Sequence, residues 1–183
     1  MSVFKDKWII LKIEKIKDKD LLYTIFTNQY WKIRANKRFS KTEKSLDLWY
    51  IINFEIITRE NISIHKIRNI KISSEFNIKK DKNFSELNQY LSILWKIFRE
   101  LPDWINHSEI FNIIEKINKL EKIDETKLIL AKLKIESIIW HLNITHKNEI
   151  ISKILKYISN SPIENILKLT WINEELKKEL EII

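Results

Sequence analysis

Two hydrophobic periods divide the chain. Ile9, Leu11 and Ile13 alternate with Ile10, Lys12 and Glu14, and after the turn-like Lys17-Asp18-Lys19-Asp20 a second run, Leu22 to Thr27, completes a predicted hairpin. Lys32-Ile33-Arg34-Ala35 is a short third strand leading into a polar basic segment that ends at Ser45. Leu48 to Thr58 and Ile62 to Ser73, separated by Arg59-Glu60-Asn61, give a second hairpin. In its last strand the apolar parity changes between Ile64, Ile67 and Ile70, as bulges in a curved sheet require. Beyond residue 80 the period becomes helical, first through Phe84, Leu87, Leu91, Leu94, Phe98 and Leu101, then through Ile110, Ile113, Ile114 and Ile117. Two further stripes follow, Leu128 with Ile135, Ile138 and Leu142, and Ile150, Ile151, Ile154 and Ile158. Expected helix starts are Asn83 with Glu86, Asn106 with Glu109, and Ser161 with Glu164, each placing a capping side chain three residues before a carboxylate. Asp124 and Asn173 are further caps, and Pro162 suits a first helical turn, where no N–H is lost.

These elements predict an α+β chain. Five strands in about 80 residues, without a helical crossover between them, favour a small antiparallel barrel of the oligonucleotide/oligosaccharide-binding (OB) type over residues 1–78. A helical bundle over 79–183 follows, the boundary falling in the polar stretch Asn77 to Lys82. Charge divides at the same place. The first 80 residues hold 18 Lys/Arg against 9 Asp/Glu, whereas the remainder holds 15 against 16, so the net charge of +8 belongs to the barrel. A polyanionic partner is expected for that half.

The chain contains no Cys and no apolar run approaching the roughly 18 residues of a spanning helix, which removes disulfide scaffolds, Cys-ligated zinc and an integral membrane helix from consideration. No secretory leader is visible, so a cytoplasmic protein is expected. The histidines, His65, His107, His141 and His146, form no metal-binding spacing, and a chain without Gly carries no Gly-rich phosphate loop. A binding protein without cofactor or metal is expected, rather than an enzyme.

Glycine is absent while Trp occurs seven times, in a chain with 38 Ile and 28 Lys. An A/T-rich gene accounts for the Ile and Lys but should deplete Trp as well. Either some of these positions are UGA codons that the source reads as glycine, or its code reads UGA as Trp and the indoles are real.

The segments Lys7-Trp8-Ile9-Ile10-Leu11-Lys12, Leu21-Leu22-Tyr23-Thr24-Ile25-Phe26-Thr27, Trp31-Lys32-Ile33, Arg34-Ala35-Asn36-Lys37-Arg38 and Ser45-Leu46 follow one another in an order that resembles the bacterial recombination mediator RecO family. That family opens with a Gly-Ile-Val-Leu-Lys-like strand and runs through a Leu-rich strand ending Phe-Thr into a basic loop. Ser73-Ser74-Glu75-Phe76 fits the end of its second hairpin. Trp8 and Trp31 stand where the family pattern has glycine and Trp104 lies in a predicted turn, so these three are the candidates for recoding; Ala35 replaces the loop glycine. The resemblance implies DNA repair and recombination through the RecFOR pathway. Its parts are binding and annealing of single-stranded DNA, contact with the acidic tail of single-strand-binding protein, and association with a RecR-like protein to load recombinase on coated DNA. It also implies a nucleoid-associated location. Many members carry a Cys-rich zinc module in the helical domain; here that stretch shrinks to about Ile144 to Glu149 and zinc is not expected.

Lys32, Arg34, Lys37, Arg38, Lys41 and Lys44 fall within 13 residues, opposed only by Glu43, and are the candidate DNA-binding residues. Such a cluster neutralises phosphates and releases counterions, so affinity should fall steeply with salt. Tyr30, Phe39 and Tyr50 flank it as base-stacking candidates. The alternatives are a protein-interaction adaptor whose charge is compositional, and an RNA-binding barrel.

Overall fold

Residues 2–18, 20–29, 32–38, 46–48, 50–58, 63–75, 84–102, 107–120, 124–139 and 142–183 are described by a computed structural model, in which the β-forming half closes into a five-stranded barrel followed by helices. The strands are β1 (Ser2–Lys17), β2 (Asp20–Thr27), β3 (Lys32–Arg38), β4 (Tyr50–Thr58) and β5 (Ile64–Glu75), hydrogen-bonded in the order β1-β2-β3-β5-β4. The alternation in the sequence marks the first strand at Ile9 to Ile13, but β1 reaches back to Ser2 because it serves two neighbours. Its first half pairs with β4, from Val3 opposite Ile57 to Ile9 opposite Ile51. Its second half pairs with β2, from Trp8 opposite Thr27 onward. The expectation of a purely antiparallel barrel is corrected: closure comes from a parallel pairing of β3 with β5, Arg34 opposite Ile64 through Asn36 opposite Lys66. Local alternation carries no trace of that long-range contact.

Bulges give the sheet its curvature. Leu11 has no partner between the pairs Ile10–Ile25 and Lys12–Thr24, so both Ile10 and Ile13 turn into the barrel although three positions separate them. On β5 an extra residue lies between Lys71 and Arg68, where Asn69 takes a left-handed conformation (φ 54°). Asn tolerates that region better than other side chains, and this chain has no Gly to place there. The parity break between Ile67 and Ile70 is this bulge, while Ile64, paired with Arg34, lies on the other face of the strand from Ile67. Trp8, Ile10, Tyr23, Ile25, Ala35, Tyr50, Ile52, Phe54, Ile56 and Ile67 fill the interior, with the Trp8 indole stacked on Phe54 at 4.7 Å.

Helices α1 (Phe84–Glu100), α2 (Ser108–Lys119), α3 (Glu125–Ile139), α4 (Glu149–Asn160), α5 (Ile163–Ile166) and α6 (Glu174–Ile182) follow. The chain divides into two compact units, and the division cuts through α1. One unit comprises residues up to Phe76 together with Leu94–Asn118; the other comprises Asn77–Ile93 and Lys119–Ile183. In the first, the second half of α1 and α2 cover the outer side of the barrel. Leu22, Thr24 and Phe26 are therefore buried on the outside of β2 while Tyr23 and Ile25 are buried inside it, and Phe26 meets Phe111 of α2 at 6.0 Å. A strand buried on both faces reads as a near-continuous apolar run, and Leu21 to Phe26 is one but for Thr24.

In the second unit α3 is the central element, packed against α4, α5 and α6 and buried around its circumference from Leu128 to Glu136. A helix so enclosed shows little amphipathic signal. Capping follows the sequence in part. Asp124 Oδ1 accepts from the Lys127 N–H at 2.9 Å, and Asn173 Oδ1 from the Leu176 N–H at 2.9 Å. Ser161 is corrected: it closes α4, donating its N–H to the Tyr157 carbonyl at 2.9 Å, and Pro162 precedes α5 without a side-chain cap. Asn148, which no capping pattern in the sequence singles out, caps α4 through the Ile150 N–H at 3.0 Å. Asn83, Asn106 and the Asn77 to Lys82 boundary lie outside the described residues. Among the described residues no helix is long and apolar enough to cross a membrane.

Candidate nucleic-acid interface

β3 alternates across the barrel wall: Ala35 points inward and is fully buried, so Arg34 and Asn36 on either side face outward. On β5 the same alternation places Ile67 in the interior and exposes Lys66 and Arg68. The parallel pairing sets the two rows side by side. A groove of about 510 Å³ results, lined by Lys37, Arg38, Lys66, Arg68, Asn36, Asn69, Ile67 and Asp20. Among the described residues it carries four cations against one carboxylate, and that carboxylate, Asp20, sits 4.0 Å from Arg38 Nε. Lys66 makes no ion pair among the described residues, and Arg38 is well exposed.

Arg68 is held more firmly. Its Nε donates to Glu55 Oε2 at 2.8 Å, the Asn69 amide donates to the same oxygen at 2.9 Å, and Lys5 Nζ lies 3.3 Å from Oε1. Burial works to raise the Glu55 carboxyl, but these three donors outweigh it and hold the group below the usual carboxylate range. The bulge at Asn69 thus fixes the guanidinium at the groove edge.

The six predicted cations do not share one surface. Lys37 and Arg38 line the β3–β5 groove, while Lys32 and Arg34 line a different one of about 300 Å³ with Lys12, Glu14, Thr24, Ile33 and Phe98. Lys32 serves the fold there: its ammonium donates to the Phe98 and Leu101 carbonyls at 2.8 and 2.6 Å, satisfying the open C-terminal end of α1. Arg34 is 55% exposed and lies 3.9 Å from Glu14. Lys41, Lys44, Tyr30 and Phe39 fall outside the described residues. Tyr50 is corrected as a stacking candidate: only 8% exposed, it belongs to the barrel core and presents no open ring face.

Sequence reasoning missed Lys66 and Arg68. The pattern His65-Lys66-Ile67-Arg68, charged on alternate positions around an apolar residue, signals an exposed basic strand face, but its place beside β3 depends on the barrel closure.

A larger cavity, about 840 Å³, lies elsewhere, between β1, β4, β5 and α2. Its charges are balanced: Lys5, Lys7 and Lys71 face Asp6, Glu55 and Glu115, and Lys7 Nζ lies 2.7 Å from Glu115 Oε1. Burial raises the Asp6 carboxyl against the N–H groups of Gln29 and Lys7, which donate to it at 2.8 and 2.7 Å. A cleft neutralised from within attracts a polyanion less than the β3–β5 groove does.

Burial lowers the pKa of both His65 and His107, which favours their neutral forms. His141 lies outside the described residues, and His146 Nδ1 is 3.9 Å from Glu179. Among the described residues no three His, Asp or Glu side chains converge as a metal site.

No protein-family model matches the chain, and no curated protein matches it.

Proposed function

We propose that this chain is a DNA-binding recombination mediator of RecO type, which binds and anneals single-stranded DNA and helps load recombinase on coated DNA during repair. The observation that carries the reading is the β3–β5 groove, where Lys37, Arg38, Lys66 and Arg68 converge on a closed five-stranded barrel. The strand order and the single parallel pairing that closes it support an OB-type identity for that barrel. Phosphates seated along the groove would exchange condensed counterions for ammonium and guanidinium groups, the contribution that dominates sequence-independent DNA affinity. Neutralising two strands at once lowers their mutual repulsion and permits pairing. Single-strand-binding protein through its acidic tail and a RecR-like protein are the proposed partners, at the nucleoid, with no cofactor.

Simultaneous charge reversal, Lys37→Glu with Arg38→Glu, is the test. Affinity for single-stranded DNA should fall at fixed salt, and the dependence of log affinity on log salt should flatten by about 0.7 for each phosphate that is no longer neutralised. Unchanged affinity rules the groove out as the DNA site. A second reading, a protein-interaction adaptor, draws on the cations already paired with carboxylates, Lys5 with Glu55, Lys7 with Glu115 and Lys12 with Glu14. It expects only weak, non-saturable DNA binding.

A further inference from the structure

Burial of Tyr50 leaves the barrel unit with a different exposed aromatic. Trp95, in the part of α1 that belongs to that unit, is 52% exposed, although an indole is among the costliest side chains to leave in water. Its neighbour one turn on, Phe98, braces it at a ring-centroid distance of 5.3 Å. The Phe98 ring is itself faced by two ammonium groups, Lys12 at 5.3 Å and Lys32 at 5.7 Å from its centroid. Phe98 also lines the smaller groove with Lys12, Lys32 and Arg34, where Glu14 is the one carboxylate among the described residues.

We propose that Trp95 is a stacking platform for an unpaired base of single-stranded DNA, with Arg34 receiving an adjoining phosphate. The inference rests on the DNA-binding reading above and deepens it by naming where a base is held. Its physical basis is the combination of an exposed indole, a neighbouring ring packed against it, and a groove lined by that second ring and, among the described residues, by three cations against one acid. A purely apolar partner would gain nothing from those charges, whereas a strand of nucleic acid offers both a base and a phosphate. Lys32 contributes field from its place on the α1 carbonyls, and Arg34, more than half exposed, is the cation best placed to reach outward.

The experiment measures binding of the full chain to a labelled oligothymidylate and to an abasic strand of the same length, by fluorescence anisotropy at one salt concentration. Trp95→Ala, checked for an unchanged circular dichroism spectrum, should weaken oligothymidylate binding about tenfold, the scale of one stacked base. It should leave the abasic strand unaffected, and Trp95→Phe should restore most of the loss. Equal weakening on both strands, or no weakening on either, overturns the platform, and the second result assigns the exposed ring to a protein partner instead. Failure of the larger reading looks different: the unsubstituted chain would then bind neither strand saturably. If the Lys37/Arg38 reversal weakens binding to both strands while Trp95→Ala weakens neither, the platform falls and the groove stands.

Discussion

In the barrel unit Lys66 is exposed at the edge of the β3–β5 groove, whereas in the helical unit Lys134 is 6% exposed and donates its ammonium to the Ser159 carbonyl near the end of α4 at 3.1 Å. Lys177 likewise closes an internal network. It pairs with Glu125, whose carboxylate also accepts from Ser85 and Gln89, and lies 3.2 Å from Glu174. The difference teaches that one lysine, Lys66, offers its charge to solvent while others, Lys134 and Lys177, serve as fastenings of the fold. Composition cannot distinguish the two, because what decides is whether a carbonyl or carboxylate stands within reach. Lys32 shows that the boundary runs even through the barrel unit, since it sits in the basic stretch of β3 yet ties down the C-terminal end of α1.

Breaking this contrast should be easiest at its extremes. Lys134→Ala leaves a helix-end carbonyl short of a donor in a buried setting and should cost about 1–3 kcal/mol, read from urea denaturation. Lys66→Ala, at an exposed strand position, should stay within about 0.5 kcal/mol in the same measurement while reducing DNA affinity. Equal costs at the two sites would erase the distinction.

A smaller effect sharpens it through pH. Hydrogen bonds from Lys177 and Ser85 outweigh burial and hold the Glu125 carboxyl below its ordinary value. A carboxylate depressed in the folded state contributes stability above its unfolded pKa and loses it as pH falls through the folded one. The same hydrogen bond raises Lys177, so that group's contribution is present below the ordinary lysine pKa and lost as pH rises through the raised one. Glu125→Gln should lower stability by about 1 kcal/mol or less at neutral pH and reduce the loss on acidification below the ordinary glutamate range. Parallel acid profiles for the two proteins would deny the pairing its role.

The architecture was legible where the signal is local. The run Leu22 to Thr27 lies within β2, Leu48 to Thr58 covers β4, and the parity change between Ile67 and Ile70 marks the Asn69 bulge. Asp124 and Asn173 cap the helices they were expected to cap. What escaped depends on residues distant in sequence. The parallel β3·β5 pairing closes the barrel and brings Lys66 and Arg68 beside Lys37, yet no short window contains both strands. Tyr50 was misjudged for a related reason, since whether its ring is covered depends on the closed barrel interior. Ser161 carries the capping pattern, but the preceding helix claims its backbone first.

The central claim is that cations on the outer face of the barrel are arranged for a polyanion, and the salt dependence of single-stranded DNA affinity for the full chain addresses it most directly. With at least three groove cations meeting phosphates, log affinity should fall against log salt with a slope of about −2 or steeper, from saturable binding. A flat dependence, or binding that never saturates, would contradict the account.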